Sequence, residues 1–207
     1  MNKVSREVID ACHNLARLIF AFGRVERATH HEDGVRKETD ADHTVMLGIM
    51  ACAYAKEFAP HLDIGKIAQF ALVHDLVEAY AGDVNTYGLT STDAQTEKEE
   101  GEAAALARIK QEFDSVFPWI AKTIEEYESL ESSEARFVKV FDKVLPKIVH
   151  TLNNGASVRS FGGTKEKTIS FHTHQFEKLQ NSYGSDQSEA MALLQAVIDE
   201  CHEKVVY

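Results

Sequence analysis

Four residues have the chemistry, and the order along the chain, needed to hold one divalent metal ion. His43 is followed by the adjacent pair His74 and Asp75 and, much further on, by Asp142. Neutral imidazole and carboxylate oxygens together form a donor set of intermediate hardness, which suits Mn, Co, Fe, Ni or Zn. Such a centre supports hydrolysis, because the ion acts as a Lewis acid and activates water. The sequence predicts one such ion, with Mg also allowed and its identity left open.

Asp142 lies on the apolar face of a predicted helix. The segment 134–152 places Val138, Leu145 and Val149 at helical spacing from Asp142, so its carboxylate points in the same direction as these apolar side chains. A bare carboxylate in an apolar interior costs several kcal/mol or more. Asp142 therefore needs a partner, and a metal ion is one.

Both histidines also lie on inward faces of predicted helices. His43 shares its face with Leu47 and Met50, and His74 follows Phe70 at a helical interval. A single inward histidine is more often a hydrogen-bonded core residue than a ligand. An adjacent His-Asp pair is weak by itself, so the prediction depends on all these groups converging on one point.

Three segments, in this order, resemble the HD-domain metal-dependent phosphohydrolases, and within them the 5'-deoxynucleotidase-like branch. They are residues 38–43 (ETDADH), 71–83 (ALVHDLVEAYAGD) and 134–143 (EARFVKVFDK). The resemblance covers roughly residues 15–152. It implies that the metal ligands are His43, His74, Asp75 and Asp142.

The same resemblance implies two catalytic carboxylates, Glu78 and Asp83. Glu78 follows His74 by four residues and Asp75 by three, so on a helix it would share their face and reach an attacking water. Asp83 follows Gly82 just past the predicted helix, where a loop can direct it back toward the site.

The resemblance also implies substrate-binding residues. Arg27 is the best match to an arginine that binds the substrate phosphate, with Arg24 second, and a guanidinium can hold a phosphate through two hydrogen bonds. Thr86 matches a threonine near the substrate. Two positions depart from the pattern: Ala28 replaces a tryptophan found in similar bacterial enzymes, and Asn85 replaces a proline. Ala28 leaves the preference between deoxyribose and ribose open.

The hydrophobic periodicity is helical through nearly the whole chain, which predicts an all-α fold. We expect one HD-type helical bundle over residues 1–207, with an HD core at about 15–152 and C-terminal helices at about 168–205. The predicted helices are 4–22, 41–58, 64–80, 93–113, 118–128, 134–152, 168–183 and 188–205. Long connections at 23–39 and 81–92 flank the proposed ligands, and a third at 153–167 is a candidate flap.

Composition and charge narrow the classes of partner. The formal charge of −11 over 207 residues disfavours a nucleic-acid polymer, because binding to such a polymer needs a basic surface. No apolar run approaches the ~20 residues that span a bilayer, so we expect no membrane partner and a cytoplasmic location. Three scattered cysteines argue against disulfides and against a cysteine zinc site.

These observations favour a metal-dependent phosphohydrolase, specifically a 5'-nucleotidase that releases phosphate from (deoxy)nucleoside 5'-monophosphates. Two alternatives stay open. One is hydrolysis of another phosphate ester or of a cyclic nucleotide. The other is a binding or regulatory protein in which the four ligands close a tetrahedral zinc site with no catalytic position. The amphipathic helices after residue 168 also leave a homodimer open.

Overall fold

The computed structural model describes residues 4–84, 87 and 92–207, and helices dominate this part of the chain, as predicted. The helices are α1 (Arg6–Phe22), α2 (Asp40–Phe58), α3 (Ile64–Val73), α4 (Glu78–Ala81), α5 (Thr92–Phe113), α6 (Trp119–Ser129), α7 (Ser133–Leu152), α8 (Ala156–Ser160), α9 (Lys165–Tyr183) and α10 (Ser188–Lys204). None of the described helices is both long enough and apolar enough to cross a membrane.

The starts of the two helices that carry His43 and Asp142 are set by capping side chains. Thr39 and Asp42 form a reciprocal capping box at the start of α2. The Ser132 side chain accepts a hydrogen bond from the Ala135 amide at the start of α7. These caps fix where each helix begins, and therefore which face carries the later residues.

Helix α7 is the centre of the packing. It contacts α2, α3, α6 and α10. Its apolar residues join those of its neighbours in one core, which includes Leu47 of α2, Phe70 of α3, Phe141 of α7 and Leu194 of α10. A second apolar cluster lies between α1, α5 and α6 and includes Ile109. The residues of α7, including Asp142, are thus held in place by close packing.

The segment predicted as the loop 23–39 contains a small antiparallel hairpin. Strand β1 (Glu26–His30) pairs with β2 (Lys37–Thr39), with Glu26 opposite Thr39 and an irregularity before His30 pairs with Lys37. Strands this short, with the sequences ERATH and KET, contain too few residues to show the alternating pattern of a half-buried strand.

Two further predictions about helix boundaries are wrong. The predicted helix 64–80 is interrupted: α3 ends at Val73, residues 74–77 form turns, and a short α4 follows. The amide of Leu76 donates to the Val73 carbonyl, three residues earlier, so the chain is wound more tightly here than in an α-helix. The predicted loop 153–167 contains α8 and the start of α9, which is capped by Thr164.

Candidate metal centre

The fold brings the four predicted ligands together. His43 comes from the second turn of α2, His74 and Asp75 from the turn after α3, and Asp142 from the middle of α7. One donor atom from each of these residues lies within 4.8 Å of the other three. His43, His74 and Asp142 are buried, while Asp75 is partly exposed. Residues separated by 99 positions in the sequence thus form one compact donor set.

His74 directs its Nε2 into this cluster. Its Nδ1 lies 2.9 Å from the Ala71 carbonyl oxygen, which can only accept, so Nδ1 carries the proton. In the neutral ring Nε2 is then a lone pair, and it has no hydrogen-bond partner in the described part of the chain. Nε2 lies 2.9 Å from Asp75 Oδ2 and 4.0 Å from Asp142 Oδ1. A lone pair facing two carboxylates fits a metal cation between them.

His43 is oriented from both sides of its ring. Nε2 lies 2.9 Å from Asp142 Oδ1, and Nδ1 lies 3.7 Å from Glu38 Oε1. The Thr29 hydroxyl in turn donates to the other Glu38 oxygen. Burial lowers the pKa of His43, but the hydrogen bond to Asp142 and the nearby carboxylate of Glu38 outweigh burial and raise that pKa to about 9. The surrounding carboxylates thus favour a positive charge at this position.

Asp142 stays ionised although it is buried. Burial alone would raise its pKa, but Lys143, His43 and His74 hold the pKa well below its usual range. Lys143 Nζ lies 2.7 Å from Asp142 Oδ2. One Asp142 oxygen therefore faces a lysine and the other faces the histidines.

Arg27, on β1, lies next to the four-residue cluster. Its Nη1 donates to Asp75 Oδ2 at 2.9 Å and to Asp40 Oδ1 at 3.0 Å. Burial lowers the pKa of Arg27, but the charges of Asp75 and Asp142 outweigh it and raise the pKa, so the guanidinium stays charged. Arg24, the other candidate, is exposed. The geometry therefore favours Arg27 over Arg24 as the arginine of the site.

The two predicted catalytic carboxylates both line the cavity beside Arg27. Glu78 is buried, and its Oε2 lies 3.9 Å from Arg27 Nη1. Burial and the charges of Asp75 and Asp40 raise the pKa of Glu78 to about 10. Asp83 follows Gly82, whose φ of 80° is one that glycine adopts without strain, and burial raises the Asp83 pKa as well.

Asp40 is a residue of this site that sequence reasoning missed. Asp40 is fully buried and forms a second acidic cluster with Asp75 and Glu78, whose donor atoms lie within 4.8 Å of one another. Burial raises the pKa of Asp40 to about 6. It lies inside the ETDADH segment, so that segment could have indicated it.

Thr86, the remaining predicted substrate contact, lies outside the described residues, as does Asn85.

A cavity of about 400 Å³ opens at the donor cluster. Near the cluster its lining includes Arg27, Ala28, Glu78 and Asp83. The cavity continues along α7 past Lys143 to Lys147 and His150, and it is also lined by Phe161, at the end of α8, and by Phe171 of α9. It is large enough for a small organic molecule and has polar groups at both ends.

Two comparisons of the sequence with known proteins each give a match. The HD domain pattern matches residues 23–183. The chain is 30% identical over 123 residues to the 5'-deoxynucleotidase HDDC2 of Bos taurus, a match that covers 59% of this chain and 58% of that protein. Less than two thirds of that relative's length is therefore matched.

The fold also resembles two solved structures. One is a predicted metal-dependent phosphohydrolase from Magnetospirillum magnetotacticum, with a TM-score of 0.75, 24% identity and coverage of 98% of this chain and 100% of that one. The other is a conserved hypothetical protein from Pyrococcus furiosus, with a TM-score of 0.57, 22% identity and coverage of 87% and 99%. At these identities the likeness concerns the fold.

Proposed function

Because this chain belongs to the HD-domain family of metal-dependent phosphohydrolases, we propose that it releases inorganic phosphate from nucleoside 5'-monophosphates, including deoxyribonucleotides. One observation carries the proposal. A partnerless His74 nitrogen faces Asp75 and Asp142, and the Arg27 guanidinium lies 2.9 Å from that same Asp75. A cation site and a phosphate-binding group are thus adjacent. The similarity to a protein named 5'-deoxynucleotidase supports the choice of substrate.

In this proposal the divalent ion is held by His43, His74, Asp75 and Asp142. When bound, the ion supplies Lewis acidity that polarises the phosphoryl group and makes water a better nucleophile. The carboxylate Glu38 keeps the His43 ring in position through Nδ1, which is the usual task of an acidic residue behind a ligating histidine.

Arg27 binds the phosphate. Asp40 anchors the guanidinium from one side at 3.0 Å, which holds its positive charge at the mouth of the donor cluster. A fixed guanidinium stabilises the negative charge that shifts onto the phosphoryl oxygens as the ester bond breaks. Because Asp40 and Asp75 already position it, Arg27 loses little freedom when the substrate binds.

Glu78 and Asp83 transfer the protons. Both lie in the cavity with Arg27, and burial raises the pKa of each. A carboxyl group with a raised pKa can hold a proton at neutral pH, or accept one from water, more readily than an ordinary carboxylate. The reaction needs one proton removed from the attacking water and one delivered to the leaving 5'-oxygen, and these two residues are suited to both steps.

The test is phosphate release from a panel of ribo- and deoxyribonucleoside 5'-monophosphates. The protein is first treated with a chelator, and Mn, Co, Mg or Zn is then added back separately. We expect release only with added metal, and the ratio of deoxyribose to ribose substrates measures the selectivity left by Ala28. Folded, metal-loaded protein that releases phosphate from none of them would refute the proposal. It would then favour another phosphate ester or a binding protein.

A further inference from the structure

The face of α7 that carries Asp142 continues into a second group of cavity residues. Lys147 lies five residues after Asp142 and His150 lies eight after it, so His150 is about 12 Å further along the helix axis. Lys147 and His150 are three residues apart, which places their side chains side by side. Both line the cavity that begins at the donor cluster.

Lys147 is a buried lysine that has no acidic partner among the described residues. It is only 2% exposed, and its ammonium group donates to Gln175 Oε1. Within the described ranges no carboxylate forms an ion pair with it. Burial and the neighbouring Lys143 lower the pKa of Lys147 to about 7. A buried lysine is costly unless its remaining donors have something to bind.

His150 has the complementary property. It is 7% exposed, and neither ring nitrogen has a hydrogen-bond partner among the described residues. Burial and Lys147 lower its pKa to about 3, so the ring is neutral at physiological pH. A neutral imidazole offers one N–H donor and one acceptor lone pair. Buried polar groups are nearly always satisfied, which indicates that a bound molecule provides the partners.

Aromatic rings form the apolar walls at this end. The Tyr87 ring centroid lies 4.5 Å from that of Phe161 and 5.0 Å from that of Phe171, and all three residues line the cavity. The Phe161 ring also lies 6.2 Å from His150. Flat apolar walls with hydrogen-bonding groups at one edge suit a planar heterocycle.

We infer that this end of the cavity is a nucleobase subsite that prefers bases carrying a carbonyl beside a ring N–H, as guanine, thymine and uracil do. The inference rests on the proposed function. The base carbonyl accepts a hydrogen bond from Lys147, and the adjacent ring N–H donates to the lone pair of His150. Adenine and cytosine present an amino group at the carbonyl position, and a donor facing the Lys147 donor is repelled.

A second phosphate group explains the same residues less well. It would call for charged donors, whereas His150 is held neutral and the walls are apolar. A phosphate would also leave the acceptor nitrogen of His150 unsatisfied, because a phosphate oxygen at neutral pH mainly accepts. A keto base satisfies Lys147 and the acceptor nitrogen of His150, and its flat ring fits the aromatic walls.

The test compares kcat/KM for the 5'-monophosphates of deoxyguanosine, thymidine, deoxyadenosine and deoxycytidine, together with deoxyribose 5-phosphate, which has no base. We expect the keto substrates to be preferred by about tenfold, the effect of one hydrogen bond to a charged donor. Lys147→Met should lower kcat/KM for the keto substrates by about the same factor and leave deoxyribose 5-phosphate unchanged. Lys178→Met, which removes an exposed lysine of α9, is the matched control.

Two results would refute the proposed subsite. The first is equal kcat/KM for keto and amino substrates in the unchanged protein. The second is a loss of kcat/KM in Lys147→Met that is as large for deoxyribose 5-phosphate as for the keto substrates, which would assign Lys147 to the phosphate. His150→Phe should reduce the keto preference in the same way. If no substrate is hydrolysed, the proposed function fails. Equilibrium binding of the same nucleotides then decides the subsite, and equal affinities for keto and amino bases refute it.

Discussion

The two ends of the cavity are both lined by helix α7 but differ in whether their charged side chains have partners of opposite charge. At the Asp142 end, charges compensate one another: Asp142 pairs with His43 and Lys143, and Asp75 pairs with Arg27. At the other end, Lys147 lacks an acidic partner and His150 lacks any partner within the described residues. The Asp142 end is a preorganised charge network, whereas the end at Lys147 and His150 has polar groups that a bound ligand would satisfy.

This difference has consequences for substitutions. Removing a member of a paired network leaves its former partners uncompensated, so function and folding suffer together. Removing a buried charged group that has no partner of opposite charge relieves a burial cost, so the folded protein should tolerate its loss. The two ends should therefore respond in opposite ways to the loss of a charged side chain.

The largest effect is expected for Asp142→Asn. It removes a charge that faces His43 and Lys143, and with it one ligand of the proposed centre. We expect the bound metal to be lost and kcat to fall by on the order of a thousandfold, since Lewis-acid stabilisation contributes several kcal/mol. The measurements are metal content by elemental analysis and phosphate release. Asp114→Asn, at an exposed aspartate, is the control, and full metal content and activity in Asp142→Asn would refute the assignment.

A smaller loss is expected for Arg27→Met. The substitution removes the guanidinium that lies between Asp75 and Asp40 but removes no proposed ligand. Loss of one charged group that stabilises the phosphoryl oxygens should lower kcat/KM by about a hundredfold while metal content is retained. Arg24→Met provides the matched control on the same segment, because Arg24 is exposed. Equal losses in the two variants would show that Arg27 has no particular role.

The four predicted ligands converge at the Asp142 end of the cavity, whereas Asp40, which lies beside them, was not predicted. Asp142 and His43 occupy apolar helix faces, so burial and the cost of a lone charge already required a shared partner. The break after Val73 was not predictable in this way, because a turn of four residues is too short for its period to be distinguished from that of an α-helix. The hairpin at β1 and β2 was too short to give a strand pattern.

The end of the cavity at Lys147 and His150 was harder to predict from the sequence. His150 could be placed two turns after Asp142, but nothing in the sequence shows that its ring nitrogens lack partners. The partners of His150 depend on which side chains of α8 and α9 approach its ring. The segment 153–167, which contains α8 and the start of α9, was predicted as a loop. Likewise, the burial of Lys147 follows from tertiary packing and not from its own sequence context.

An intermediate effect confined to metal binding is expected for Glu38→Gln. Glu38 Oε1 lies 3.7 Å from His43 Nδ1, and the substitution keeps the side-chain volume while removing the charge. Outer-shell carboxylates of this kind typically contribute 10- to 100-fold to metal affinity, so we expect a loss of about that size. A metal titration by isothermal calorimetry measures it. Glu32→Gln, at an exposed position of the same hairpin, should leave the affinity unchanged.

An effect of opposite sign is expected for the stability of Lys147→Met. In the folded protein burial lowers the pKa of Lys147 from 10.5 to about 7. Between these values the unfolded chain binds a proton that the folded chain has released, so the unchanged protein gains stability as pH rises from 7 toward 10.5. The gain is at most about 1.4 kcal/mol per pH unit.

The methionine variant lacks this titration, so it should be more stable than the unchanged protein at pH 6, and its advantage should shrink as pH rises through the same window. Denaturant unfolding at pH 6, 8 and 9.5 measures the difference, with Lys178→Met as the control for losing an exposed lysine. Because subtracting the two unfolding free energies cancels every shared group that does not interact with Lys147, the pH dependence of the difference reports on Lys147 and on its neighbours Lys143 and His150. A difference that does not change with pH would mean that an acidic group compensates the charge of Lys147 in the folded protein and keeps its pKa near 10.5. The contrast between the two ends of the cavity would then fail at the very residue that defines it.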